Sequence, residues 1–202
     1  MKKILWGLMT LLAIGVAFYG WGMVFGGIES DFIAHHFAER PLATFLHFFF
    51  GPLALAIGGF QFLASVRARW PILHRWVGRI YVISCLLSGT GGFLMALTST
   101  AGPVAQIGFL GLAIAWFWTT IAAYRAIRAQ RVPAHKDWMI RSFALTYGAV
   151  TLRIYLGVTM GPMGLDFMEV YPIIAWAAWV PNLLFVEWLF IRRRRRPAAV
   201  AV

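Results

Sequence analysis

Six apolar runs, each long enough to cross a lipid bilayer, dominate the sequence. They cover residues 4–26, 44–65, 76–99, 104–124, 138–160 and 172–191. A helix of about 20 apolar residues spans a hydrocarbon core about 30 Å thick. A chain of 202 residues that is 61% hydrophobic also has more apolar surface than a soluble domain of this size buries. We therefore predict an all-α membrane protein with six transmembrane helices, forming one integral membrane domain over residues 1–202.

The first apolar run resembles a secretory signal only in its basic start. Lys2 and Lys3 precede an apolar stretch over 4–26. Signal peptides have apolar regions of about 7 to 15 residues, so this stretch is too long. We expect an uncleaved first helix.

The segments that flank the runs are alternately basic and either acidic or uncharged. One side has 16 of the 18 basic residues, and these are Lys2, Lys3, Arg67, Arg69, Arg75, Arg79, Arg125, Arg128, Arg131, Lys136, Arg141 and Arg192 to Arg196. The other side has the acidic residues Glu29, Asp31, Glu39, Asp166 and Glu169, with Arg40. Cytoplasmic flanks are enriched in Lys and Arg, so both termini are predicted to be cytoplasmic.

The net charge of +11 is spread along these flanks and therefore indicates a membrane surface, with no nucleic-acid partner. The basic tail, residues 192–202, contains the run Arg192 to Arg196. Such a run attracts anionic lipid at about 1 kcal/mol per charge, or it acts only as a stop-transfer anchor. The segment 31–39 is expected to be a short interfacial helix with His35 and His36 as a surface pair.

The second and fourth helices, with the loops that follow them, resemble each other. Leu55-Ala56-Ile57 matches Leu112-Ala113-Ile114, and each following loop has a proline and ends on a histidine, His74 or His135. A direct repeat of helices 2–3 and 4–5 would explain this, and so would similar basic loops that arose independently. In a repeat, the two histidines would face each other.

Polar groups inside the runs mark candidate sites, because a charge in the bilayer is costly. Matching depths along the helices places Glu187 at the level of Arg141 and Arg79, where we expect an ion pair. Arg153 and His47 share the outer half of the membrane. Asn182 lies near the middle of helix 6.

The guanidinium of Arg153 stays protonated and needs an acceptor, which a lipid phosphate, a carboxylate or a haem propionate would provide. Alternatively, Arg153 reaches the outer headgroups by extending along its helix. His74 and His135 share a side and a depth, and a pair of imidazoles on neighbouring helices is how membrane proteins bind b-type haem. Arg79 and Arg141 are the candidate propionate contacts of that inner site, and His47 with Arg153 form an outer candidate site.

Several other chemistries are disfavoured. The sequence has no cysteine ligand set, no paired catalytic carboxylates, no phosphate-binding loop and no serine elbow. Cys85, the only cysteine, lies in an apolar run, so no disulfide framework is expected. We predict no metal-ion cluster.

Four polar motifs are distinctive in combination. They are His74-Arg75-x-x-Gly78-Arg79-x-Tyr81, His135-x-x-Trp138-Met139-x-Arg141-Ser142-x-Ala144-Leu145-Thr146, Ala149-Val150-Thr151-Leu152-Arg153 and Trp179-Val180-x-Asn182-x-x-x-x-Glu187. Together they resemble a family of bacterial multi-pass membrane proteins known as domain of unknown function 2306, over about residues 44–190. The resemblance implies that His47, His74, Arg79, His135, Arg141, Arg153, Asn182 and Glu187 belong to the family pattern. It brings no known reaction with it.

Three functions fit these observations. The first is a small redox protein of the bacterial inner membrane that binds b-type haem or interacts with quinone. The second is a non-catalytic scaffold or assembly factor in which the polar residues make interhelical contacts. The third is a transporter or lipid-binding protein with Arg153 as its anion contact.

Overall fold

A computed structural model describes residues 2–26 and 31–192, and within these ranges every element is helical. Six helical segments are long and apolar enough to cross a membrane, which confirms the predicted fold class and the number of spans. We number them spans 1 to 6: Ile4–Val24, Pro41–Phe62, Pro71–Ala96, Gly102–Arg128, Val132–Met160 and Phe167–Arg192. Arg192 is the last described residue, so the rest of the predicted basic tail lies outside the described part of the chain.

Several spans begin earlier than hydropathy predicts, because a proline opens them. Pro41 and Pro71 are the first residues of their helices, and the helix of span 5 has Pro133 in its first turn. The first turn of a helix has no internal partner for its N–H groups and therefore accepts proline readily. As a result, His74 and His135 each lie fourth in a helix, not in a loop.

The segment Asp31–Glu39 is a short helix, as predicted. Of its two histidines, His35 is exposed and His36 is buried. The hydroxyl of Thr44 donates a hydrogen bond to the His36 carbonyl oxygen and so fastens this helix to the start of span 2. The expectation of a surface pair is therefore wrong for His36, because the helix packs its His36 side against the bundle.

Spans 5 and 6 are both interrupted near their middles. Span 5 consists of the helices Val132–Thr146 and Gly148–Met160, and span 6 contains Phe167–Ala177, Val180–Val186 and a final π-helical turn, Glu187–Arg192. The two interruptions meet, since a Cβ on Gly148 would lie 3.3 Å from the Ala178 carbonyl oxygen.

Asn182 binds across this junction. Its amide nitrogen donates to Thr151 Oγ1 at 2.8 Å and lies 3.1 Å from the Ala178 oxygen and 3.4 Å from the Ala144 oxygen. Carbonyl groups in hydrocarbon need a partner inside the protein, because water does not reach them. Asn182 therefore stabilises the broken region of both spans.

Span 3 lies between spans 2 and 4, and span 4 also packs against spans 5 and 6. Spans 2 and 3 make the most extensive contact, and spans 4 and 5 the next. These are the two helix pairs of the predicted direct repeat. Their pairing agrees with a duplication but does not test it, so the repeat stays a prediction.

Small residues let spans 2 and 3 approach closely. Gly91 lies against the backbone of span 2, where an added Cβ would be 2.7 Å from the His47 backbone nitrogen and 3.1 Å from its Cβ. Contacts of this kind are common in membrane helices, because close backbone approach increases van der Waals packing. His47 thereby lies directly against span 3.

We expect Gly91→Ala to lower the free energy of unfolding in detergent by about 1–3 kcal/mol, because the added methyl group overlaps the span 2 backbone. Titration with a denaturing detergent measures this difference. Gly15→Ala is the matched control, since no atom lies within 4 Å of a Cβ built there. Equal stability of the two variants would contradict the close contact.

Candidate functional site

His74 and His135 lie on facing sides of spans 3 and 5. His74 and Tyr81 are seven residues apart on span 3, and His135 and Ser142 are seven apart on span 5. Seven residues are almost two full turns, so each pair shares one helix face. Tyr81 Oη and Ser142 Oγ are 3.1 Å apart, which fixes these faces towards each other. His135 is accordingly close enough to His74 for the charges of the two rings to interact.

The hydrogen bond of His135 determines its tautomer. His135 Nδ1 is 2.9 Å from the Ala123 carbonyl oxygen. A carbonyl oxygen only accepts, so Nδ1 is the donor, and Nε2 of the neutral ring keeps its lone pair. Histidines that bind a metal usually have this arrangement, with one nitrogen held by a carbonyl or carboxylate and the other facing the metal.

His74 is less completely bonded. Its Nδ1 is buried and has no hydrogen-bond partner within the described structure. Arg67, in the short helix Ala64–Arg69 that precedes span 3, lies within electrostatic range of His74 and donates to the Gln61 carbonyl oxygen at 3.1 Å. A buried imidazole nitrogen without a partner is costly, so the His74 side chain is a candidate for binding a further group.

A cluster of polar side chains lies two turns deeper in the membrane. We call it the hydroxyl cluster, and its members are Tyr81, Thr120, Ser142 and Thr146, with Trp116 and Cys85 beside them. Tyr81 Oη is 2.9 Å from Thr146 Oγ1, Thr120 Oγ1 is 2.8 Å from Ser142 Oγ, and Trp116 Nε1 donates to Thr146 Oγ1 at 3.0 Å. The cluster joins spans 3, 4 and 5.

Sequence reasoning missed the hydroxyl cluster, because Ser, Thr and Tyr in an apolar run do not reveal whether they face lipid or protein. A usable signal was present. Tyr81 follows His74, and Ser142 follows His135, at the same spacing of seven residues. Four polar groups on two matching helix faces predict one shared interface.

Arg141 and Glu187 form an ion pair, as their matched depths predict. Arg141 Nη2 is 2.7 Å, and Nε 2.9 Å, from the same carboxylate oxygen, Glu187 Oε2. The guanidinium also lies over the Trp138 ring, 4.4 Å from its centroid. Arg79 has a different neighbour, since it is exposed and lies 4.7 Å over the Trp76 ring. The assignment of Arg79 and Arg141 to propionates stays a prediction, while Arg67 is the arginine in electrostatic range of His74.

Towards the opposite end of the bundle, His47 is held by span 3. Its Nδ1 is 3.0 Å from the Ser88 carbonyl oxygen, and Ser88 Oγ donates to the His47 carbonyl oxygen at 3.1 Å. His47 lies within electrostatic range of Arg153 and His36. Burial lowers the pKa of His36, and the nearby His35 lowers it further. The group of His47, Arg153 and His36 therefore joins span 2, span 5 and the short helix Asp31–Glu39.

The Arg153 side chain turns back along its helix, away from the end of span 5 at Met160. Its Nη1 donates to the Ala149 carbonyl oxygen, one turn deeper on the same helix, at 3.2 Å. The guanidinium lies 5.9 Å from the centroid of the Tyr19 ring and within electrostatic range of Tyr171. Arg153 and His47 thus share one region at this end of the bundle.

These geometries define a multi-pass helical membrane protein with polar groups at three depths. Within the described residues, no group of three or more His, Cys, Asp or Glu side chains is arranged to hold a metal ion. A family model described as "Predicted membrane protein (DUF2306)" matches residues 44–191. The chain therefore belongs to this family. No curated protein and no solved structure matches it.

Tyr81→Phe tests whether the hydroxyl cluster stabilises the fold. We expect it to lower the free energy of unfolding by about 1 kcal/mol, because Ser142 and Thr146 each lose a partner in a medium without water. Detergent unfolding measures the effect, and Tyr124→Phe, at an exposed position on span 4, is the control. A Tyr81→Phe variant as stable as Tyr124→Phe would contradict this role.

Proposed function

We propose that the protein is a small redox protein that binds a b-type haem between His74 and His135. The observation that carries the proposal is the state of the two rings. Ala123 holds His135 so that Nε2 is available, and His74, close enough to His135 for their charges to interact, has an unbonded Nδ1. Two neutral imidazoles on neighbouring helices are the usual ligands of membrane b-type haem.

The surrounding residues suit such a group. Arg67 is near His74 and supplies a positive charge for a propionate, and both histidines lie at the ends of their spans that carry most of the basic residues. A haem held there would supply one-electron transfer. The protein would orient the group through the Ala123 hydrogen bond and keep water from it through the apolar faces of spans 3, 4 and 5.

A scaffold function is the second candidate. It is favoured by the number of intramembrane polar groups that already bind one another, including Arg141 with Glu187 and Asn182 with Thr151. A scaffold needs only such interhelical contacts. In a third function, lipid or small-anion binding, Arg153 would be the anion contact, and its deep position supports this use.

The site also has a proposed orientation. We place both termini in the cytoplasm and the protein in the bacterial inner membrane, because the basic segments alternate with acidic or neutral ones. Arg192 and the following arginines would then contact anionic lipid. In this orientation the haem site faces the cytoplasm, and the group of His47 and Arg153 faces outwards.

The haem proposal predicts a spectrum. Protein expressed with ample haem and extracted in mild detergent should show a Soret band and, after reduction, the sharp bands of six-coordinate b-type haem. His74→Ala and His135→Ala should each remove at least 90% of this signal, while His47→Ala should keep it. Absorption spectroscopy on monodisperse protein measures the difference.

Methionine variants cover the case in which an alanine variant does not fold. A thioether also binds haem iron, so His135→Met should keep the haem but shift its reduction potential upwards. A wild-type protein without a Soret band, or a band that survives both His74→Ala and His135→Ala, would exclude this haem site. A haem-free but stable protein would favour the scaffold.

The orientation is tested by cysteine labelling in a Cys85→Ser background, which has no other cysteine. Thr100→Cys, in the turn between spans 3 and 4, should react with a membrane-impermeant maleimide in intact cells. Ala129→Cys, between spans 4 and 5, should react only after the membrane is permeabilised. Both positions are exposed in the structure. The reverse pattern would place the histidine pair on the outer side.

A further inference from the structure

A crevice between spans 4, 5 and 6 opens sideways from the bundle. Its volume is about 510 Å³, within the range of small-molecule sites in proteins. Ile114, Trp118 and Leu184 line it and are strongly exposed, with Trp118 exposing 68% of its surface. Exposed apolar side chains on a membrane-spanning helix face hydrocarbon, so the crevice is open to the lipid phase.

The crevice contains the Arg141–Glu187 ion pair as its polar feature. Arg141 is nine residues into its helix, which places it about 14 Å along the span. Glu187 is five residues, about 7 Å, from Arg192 at the end of span 6, so the ion pair lies inside two membrane-spanning segments, towards their shared end. An ion pair at this depth that lipid-soluble molecules can reach is a candidate binding site, because exposing charge to hydrocarbon costs stability unless a ligand covers it.

The ion pair selects the charge of the ligand. Both bonds from Arg141 end on Glu187 Oε2, and the pair has no net charge. The two charges act on an anionic or a cationic headgroup with opposite signs, so the pair gives such a headgroup no net electrostatic attraction. The pair offers N–H donors on one side and a carboxylate acceptor on the other, which suits a neutral ligand with carbonyl or hydroxyl groups.

The walls select the shape of the ligand. The indole rings of Trp118 and Trp138 line the crevice together with the ion pair. Flat aromatic walls favour a flat ring, and the open lipid side leaves room for an apolar tail along Ile114 and Leu184.

We propose that this crevice is a binding site for a lipid-soluble quinone or quinol. The ring lies between the tryptophans, its oxygen atoms pair with Arg141 and Glu187, and its isoprenoid tail extends into the bilayer. The crevice contains neither His74 nor His135. The inference therefore goes beyond the haem proposal and does not depend on it.

Photoaffinity labelling tests the site. Protein in phospholipid nanodiscs is illuminated with an azido-quinone, and mass spectrometry locates the cross-links. We expect saturable labelling within residues 111–119, 138–141 or 183–187, which an excess of unlabelled quinone reduces by at least 80%. Glu187→Gln keeps the shape of the side chain but removes its charge, and it should weaken the apparent affinity about tenfold, which corresponds to about 1.4 kcal/mol.

The matched pair of variants is Trp118→Ala and Trp70→Ala. Both tryptophans are strongly exposed, so neither change should disturb the fold, but only Trp118 lines the crevice. Labelling should fall in Trp118→Ala and remain in Trp70→Ala. Labelling that unlabelled quinone does not reduce, or that is equal in these two variants, would overturn the proposal.

The alternative occupant of the crevice is the acyl chain of an ordinary phospholipid. A phospholipid with a photoreactive chain should label the same peptides only in the absence of quinone, and labelling that quinone does not displace would assign the crevice to lipid. The quinone measurement is repeated in His74→Ala and His135→Ala. Labelling that is unchanged in these variants would show that the quinone site does not depend on the haem ligands. This result would hold whether or not the haem is lost, so the two proposals can fail separately.

Discussion

A lipid bilayer offers no hydrogen-bond partners, and this constraint shapes every polar feature of the protein. Each hydroxyl, amide or charged group in a span has to bind another group of the chain or pay for its isolation. The hydroxyl cluster satisfies the constraint by joining Tyr81, Ser142 and Thr146 from spans 3 and 5. Asn182 satisfies it at the interruptions of spans 5 and 6. The polar contacts therefore act together with packing to set which helix faces meet.

The same constraint makes the unsatisfied groups informative. Most intramembrane polar atoms of the described structure have a partner, but His74 Nδ1, Thr10 Oγ1 and Trp179 Nε1 are buried without one. The Arg141–Glu187 pair is satisfied internally, yet it lines a crevice that faces lipid. The His74 side chain thus lacks a hydrogen-bond partner, and the Arg141–Glu187 pair has no protein group between it and the lipid. At the His74 site and at the Arg141–Glu187 pair, a cofactor or a membrane-soluble ligand would improve the energetics of the folded protein.

How far the sequence predicted the structure depended on the kind of information needed. The six spans followed from hydropathy, because each apolar run has to be covered by lipid whatever its neighbours are. The Arg141–Glu187 pair followed from depth, since position along a helix is fixed by its rise. The helix starts were missed where a proline extends a helix into a polar segment, as at Pro71. The burial of His36 was missed because local sequence does not show which side of a short helix packs on the bundle.

The sequence by itself determined the number of spans, their approximate depths, the charge of each connecting segment and the family pattern of polar residues. It did so because hydrophobicity and rise per residue are properties of one helix at a time. Only the tertiary structure decided that Tyr81 reaches Ser142, that Arg153 folds back towards Ala149 and that a crevice lies beside Glu187. Such facts depend on the rotation of each helix about its axis and on which helices are neighbours. Those are set by packing between distant segments, such as Gly91 against span 2, and no single stretch of sequence contains them.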